Sequence, residues 1–203
     1  MSRRLGLLVT DASPLITLAA AEALDCLTLP GLHVVIPDIV YLEVTEDLAK
    51  TGAEEIVHWA RRHRDLVEIA VTAVFAEFQV LRAANPRARS RGRGEQAALE
   101  VLNAAVSEDP GIEALLLYED NDIRSRRFVR TLPERVTALS TGDLLQELEA
   151  AGRIQSADHI LDRAADRERN VERPRRPSQD DAARRLLRQR LKAPQPGREE
   201  DGA

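Results

Sequence analysis

Leu5–Gly6–Leu7–Leu8–Val9–Thr10–Asp11–Ala12–Ser13–Pro14–Leu15–Ile16 is the stretch whose reading decides the fold. A short unbroken apolar run suits a strand covered on both faces, and Leu5 to Thr10 is such a run. Ser13 is placed to cap a following helix, with Pro14 at its first position, where no backbone donor is lost. Asp11 then stands at the carboxyl end of the first strand. In open parallel sheets that edge is where ligands bind.

Working outward, His33 to Ile36 ahead of Pro37 reads as a second strand, Leu66 to Val71 as a third, Ala114 to Tyr118 as a fourth and Val136 to Leu139 as a fifth. Helical spacing of apolar residues predicts helices from Pro14 to Leu29, Asp38 to Lys50, Ala53 to Arg64 and Thr72 to Ala84. Further helices are predicted from Glu95 to Val106, through Ile123 and Phe128, and from Gly142 to Ala151 with Thr141 as cap. Strands alternating with helices imply an α/β fold, a parallel sheet between helical layers. Helices outnumber strands, so at least two connections hold a helix pair.

The 203 residues suffice for one domain with a real core and an extra segment. A net charge of −5 excludes a globally basic nucleic-acid binder and leaves room for local basic patches. Cys26, the single cysteine, has no internal partner, which fits a reducing compartment. Arg3 and Arg4 precede too few apolar residues for a signal-peptide core or a membrane span. The expectation is a cytoplasmic protein that does not engage a membrane. Composition changes near Arg163, so residues 1–162 are expected to form the domain and 163–203 a charged, largely disordered tail. Within the tail, a short helix over 180–192 carries Leu187 and Leu191 four apart.

Four places put carboxylates where a strand ends or a helix begins: Asp11, Glu43, Glu95 and the cluster Glu119, Asp120 and Asp122. Each has a bland reading as a helix-entry or solvated residue. The neighbours shift the balance. Asp11 and Asp120 each follow an apolar strand, and parallel strands present their carboxyl ends on one edge. Glu43 sits among Val40, Tyr41, Leu42 and Val44, where an unpaired charge is costly. Like charges crowded in a crevice raise one another's pKa unless a cation intervenes. A hard divalent ion with oxygen ligands resolves the conflict, and it can activate water for attack on a phosphodiester. His33, His58, His63 and His159 show no ligand spacing with Cys26, so zinc is not indicated.

These residues carry a resemblance. Val9–Thr10–Asp11–Ala12–Ser13–Pro14–Leu15–Ile16 resembles the opening motif of PIN-domain ribonucleases, and Pro37–Asp38–Ile39–Val40–Tyr41–Leu42–Glu43–Val44 resembles their second acidic element. Gly92–Arg93–Gly94–Glu95–Gln96–Ala97–Ala98 is similar to the third, and the run from Leu115 through Asp122 to Arg124 is similar to the fourth. Order and spacing agree over about residues 5 to 150. The resemblance implies a PIN-like, doubly wound, five-stranded parallel sheet with helices on both faces and RNA cleavage dependent on Mg²⁺ or Mn²⁺. It further implies Asp11, Glu43, Glu95 and Asp120 as the acids of the site, with Glu119 or Asp122 as accessory metal ligands. Many such proteins are toxins silenced by a small antitoxin partner, and homodimers are common. The charged tail has no counterpart in a minimal PIN domain.

Arg87, Arg89, Arg91 and Arg93 form a basic strip leading into Glu95, readable as a track for single-stranded RNA or as a solvated loop. Arg124 either contacts a phosphate or braces Asp120. Asp143 is either a further acid at the same edge or a helix-dipole residue. Aromatics are only 3% of the chain, which disfavours readout by base stacking. Two other functions compete with a ribonuclease: an inactive RNA- or partner-binding module, and a phosphatase or receiver-type domain. The last is disfavoured, because no second aspartate follows Asp11 two residues on and no lysine lies near the fifth strand.

Overall fold

The computed structural model describes residues 3–90, 92–119, 132–167 and 181–193. Five parallel strands form one sheet: β1 (Arg4–Thr10), β2 (His33–Pro37), β3 (Val67–Ala70), β4 (Ile112–Tyr118) and β5 (Val136–Ser140), in the order β3-β2-β1-β4-β5. The pairing is parallel throughout, with Val9 opposite both Val35 and Leu116. β1 is therefore central, which is why its run is apolar without alternation. The chain winds outward from β1 to β3, then returns to place β4 on the other flank. The winding direction reverses between β1 and β4, and the crevice beyond their carboxyl ends is the usual ligand position of such sheets.

Both faces are covered. Leu8, Val34, Ile36, Leu115, Leu117 and Leu139 point to one core, Leu7, Val9, Val35, Ala114, Leu116 and Val136 to the other. The first is packed by α1 (Ala12–Ala20), α2 (Asp38–Thr45), α3 (Ala53–Arg62), α6 (Thr141–Ala150), α7 (Ala157–Asp166) and α8 (Asp181–Lys192). The second lies under α5 (Arg93–Glu108). α4 (Ala73–Ala84) buries fully only Phe78, in a small cluster with Ile39 and Ala97. The connections β2–α2–α3–β3 and β3–α4–α5–β4 are the expected helix pairs. The helix expected through Ile123 and Phe128 lies outside the described residues, as do the tail ends 173–177 and 194–203.

Two caps differ from expectation. Ser13 does not cap α1; Asp11 holds that position without a capping side-chain bond, and Pro14 sits inside the first turn. Thr141 is the first residue of α6, and the Ser140 hydroxyl accepts from the Asp143 N–H instead. Both shifts have one cause: the strand passes straight into the helix, leaving no turn residue between them. The stretch expected as one helix from Pro14 to Leu29 is α1 followed by a 3-10 turn over Leu24–Leu27, because Glu22 takes a positive φ of 53°.

α8 lies in the 180–192 segment of the tail. Ala183, Leu187 and Leu191, four apart, are buried against the first core. Arg190 donates to the Gly31 carbonyl at 2.7 Å, and Arg153 reaches the Leu191 carbonyl. At its other end α8 meets two fully buried acids of α6. Arg184 bonds Asp143 at 3.2 Å and Glu147 at 2.5 Å, and Arg188 also bonds Glu147. Burial pushes the Glu147 carboxyl up, but the hydrogen bonds and charges of Arg188 and Arg184 outweigh it and hold it below the ordinary value.

Removing Arg184, itself only 11% exposed, leaves buried Asp143 without a cation and Glu147 with Arg188 alone. Arg184→Ala is expected to lower unfolding free energy by about 3–5 kcal/mol, read from urea midpoints. Arg188→Ala, whose side chain is half exposed, should lose about 1 kcal/mol or less. Glu147 has a depressed pKa, so its contribution is present above the ordinary carboxylate range and lost as pH falls through the lowered value.

Candidate active site

The site is assembled at the carboxyl edge of β1 and β4. The β1–β4 ladder continues one residue past β1, because the Asp11 N–H donates to the Leu117 carbonyl at 3.1 Å. Asp11 is thus fixed beside the end of β4. It is half-buried, and as N-cap its backbone is extended (φ −86°, ψ 176°).

Glu43 comes from the last turn of α2, which begins directly after β2. The residue is exposed as a whole, yet its carboxyl is raised above its ordinary pKa, first by local desolvation in the crevice and then by the Asp11 charge, with Lys50 acting in the opposite direction. The two acids, 32 positions apart in sequence, therefore feel each other across the crevice.

Glu95 lies in the first turn of α5, half-buried. Both glycines before it are required. Gly92 caps the helix in the left-handed region (φ 77°), which an L side chain rarely adopts. Gly94 lets the helix approach closely: a Cβ there would stand 3.4 Å from Asp11 Oδ1 and 3.3 Å from Val40 Cγ2. The positive end of the α5 dipole is thereby pressed against the Asp11 carboxylate.

Glu119 follows β4 and is half-buried; Thr141 Oγ1 donates to its Oε1 at 2.9 Å. Asp120, Asp122 and Arg124 lie outside the described residues. Asp143 does not join this group. It exchanges hydrogen bonds with Ser140 and pairs with Arg184, so of its two readings the structure shows a capping acid of the α6 first turn.

Of the basic strip, Arg93 places its guanidinium 5.7 Å from the Phe78 ring centroid. Arg89 is exposed and lines a cavity shared with Glu43, and Arg87 is exposed beyond Asn85. Arg91 lies outside the described residues.

Two acids escaped the sequence reading. Asp38, buried, accepts from the Ile39 N–H, the Thr72 N–H and the Thr72 hydroxyl at 2.7–3.0 Å, tying the exit of β2 to that of β3. Glu100 accepts from the N–H groups of Ala73 and Val74, anchoring the start of α4 on α5. Asp38 follows a strand as Asp11 does, and that position was the available signal.

Among the described residues no three His, Cys, Asp or Glu side chains converge into a complete cage for a metal ion. Mg²⁺ does not need one, since one or two carboxylates with water and substrate oxygens suffice. The like-charged pair Asp11 and Glu43, all-oxygen donors at a sheet edge, fits a hard cation on those terms. A family model described as a PIN domain matches residues 7–109, just over half of the 203 residues, spanning Asp11, Glu43 and Glu95. No curated protein matches the chain.

Glu43 has a raised pKa, so the folded state binds its proton more readily than the unfolded chain, and stability falls as pH rises between the two values. Glu43→Gln should therefore raise the thermal midpoint at neutral pH. The gain should vanish below the ordinary carboxylate range, where Glu43 is protonated in both states. Gly94→Ala is expected to weaken the site while leaving stability nearly unchanged. Its helix-propensity gain of about 1 kcal/mol is opposed by the contact with Val40 and Asp11. Activity assays beside thermal melts check this pair of variants.

Proposed function

The chain belongs to the PIN-domain family, a family with a nuclease-like fold, and on that premise we propose that it is a metal-dependent endoribonuclease hydrolysing RNA phosphodiester bonds. The observation that carries the proposal is the place of Asp11: it stands at the carboxyl end of the central strand, tied to the end of β4, with the α5 N-terminus against its carboxylate and Glu43 near enough to sense its charge.

In this reading Asp11, Glu95 and the Glu119–Asp120–Asp122 cluster hold a divalent cation, Mg²⁺ or Mn²⁺. Such an ion supplies neutralisation of phosphate charge and an acidified water for in-line attack. The protein's own groups do the rest. Glu43, near enough to Asp11 to sense its charge, would take the proton of the attacking water on a carboxylate oxygen. Water oxygen bonds to phosphorus as the ester P–O bond breaks, and the departing ribose oxygen is protonated. Thr141 Oγ1 holds Glu119 in one orientation. Gly94 keeps the α5 terminus against Asp11. Arg87, Arg89, Arg91 and Arg93 attract the RNA backbone, with Arg124 bracing the fourth acidic element.

The role we propose on the wider resemblance is that of a cytoplasmic toxin in a toxin–antitoxin pair, silenced by a small antitoxin protein, with a homodimer as one assembled form open to it. Among the described residues no helix is long and apolar enough to cross a membrane.

Purified protein is expected to degrade RNA with Mg²⁺ or Mn²⁺, to stop in EDTA, and to lose at least about 100-fold in rate as Asp11→Asn. Expression of wild type against Asp11→Asn, scored by growth and RNA integrity, tests the toxin role. Cleavage that survives Asp11→Asn would sink the ribonuclease reading.

A further inference from the structure

We propose that the crease between α2 and α4 seats a ribonucleotide flanking the scissile phosphodiester, and that Arg82 passes from Glu46 to a backbone phosphate when RNA enters. The proposal rests on the ribonuclease reading and deepens it by naming residues that neither the acidic motifs nor the basic strip include.

The crease opens at the acid edge. A cavity of about 600 Å³ has Glu43 on its rim, Lys50, Arg82 and Arg89 around it, and Leu42 and Phe78 as its apolar wall. It continues into a second space of about 370 Å³ that shares Leu42, Phe78 and Arg82 and adds Phe75 and Gln79. Volumes of about 300–1,000 Å³ are those of small-ligand sites. Cations around the mouth match a nucleotide's charged backbone, and Leu42 with the half-buried Phe75 offers its base an apolar surface. The A-form duplex offers a broad, shallow minor groove rather than a protruding strand, so this narrow crease selects single-stranded RNA.

Phe78 organises the cations. It is 2% exposed, so it offers no stacking face to a base. Instead the guanidinium of Arg93 lies 5.7 Å from its ring centroid and that of Arg82 lies 5.9 Å from it. One buried ring thus positions a cation at the acid edge and a second inside the crease, a path for successive phosphates past the acids.

Arg82 is already held by a carboxylate. Glu46 forms an ion pair with it, and both side chains are well exposed, at 39% and 48%. An exposed pair of this kind is weak, so a phosphate can displace the carboxylate. Until then Glu46 occupies the guanidinium and repels incoming phosphate. Glu46 is a rival for the site, and its removal should help binding.

The test is fluorescence anisotropy of full-length protein with a labelled single-stranded RNA in EDTA, where turnover is stopped, over a range of salt. Arg82→Ala should weaken binding about tenfold and reduce the salt slope by about one. Glu46→Gln should tighten binding by about threefold or more, a gain that misfolding cannot mimic. The double variant should behave as Arg82→Ala alone, because Glu46 acts through Arg82. Arg61→Ala, exposed on α3, should change nothing beyond a general charge effect. If wild type binds RNA while both single variants leave affinity and salt slope unchanged, the crease is not an RNA subsite. Binding there of a protein segment with no effect on RNA would likewise overturn it. Failure of the wild type to bind RNA in EDTA overturns the subsite alone, since the ribonuclease reading is tested separately by cleavage with Mg²⁺ or Mn²⁺.

Discussion

The parallel polarity of the sheet is the constraint on which the rest depends. Once β1 is sandwiched between β2 and β4, every strand releases its chain at the same edge, and side chains from positions 11 to 141 are delivered to one place. The reversal of winding between β1 and β4 keeps helices from closing over that edge. Asp11 and Glu119 flank the opening, α2 brings Glu43 from the β2 side, and α5 presses in over Gly94. The backbone ladder fixes Asp11 there, as its N–H bond to Leu117 shows.

What was legible in the sequence follows from the same physics. A strand buried on both faces writes itself as an uninterrupted apolar run, so β1 and β4, and the acids at their ends, could be read directly. The Gly92-x-Gly94 pattern was legible as a helix start, but its reason was not. Only coordinates show that Gly94 is small because Asp11 and Val40 are there. Ser13 and Thr141 were assigned as caps one or two positions too late, since a capping residue is recognised by the turn before it and here there is none.

The partners of Asp38, Glu100 and Glu147 were not legible, although the place of Asp38 after a strand was. On a helix each resembles a solvated carboxylate, and the partners that bury it are 27 to 41 residues away. The same limit applied to the tail. Arg184 and Arg188 read as surplus charge in a polar segment, whereas α8 lays an apolar stripe on the core and turns those arginines onto Glu147. Composition reports how much apolar surface a segment has; it does not report whether a matching surface awaits it.

The molecule thus treats two pairs of acids in opposite ways. Asp143 and Glu147, buried on α6, are met by arginines from α8, and the Glu147 carboxyl is held below its ordinary pKa. Glu43 faces the Asp11 charge, with Lys50 acting in the opposite direction, and its carboxyl stands above its ordinary value. The first pair is what folding alone selects, since a buried charge left without compensation lowers stability. The second sets two like charges within reach of one another at the sheet edge, an arrangement typical of functional sites. A divalent cation that accompanies a phosphodiester would lower the repulsion that Glu43 feels from Asp11. The feature that raises the Glu43 carboxyl and the proposed chemistry therefore share one place in the fold.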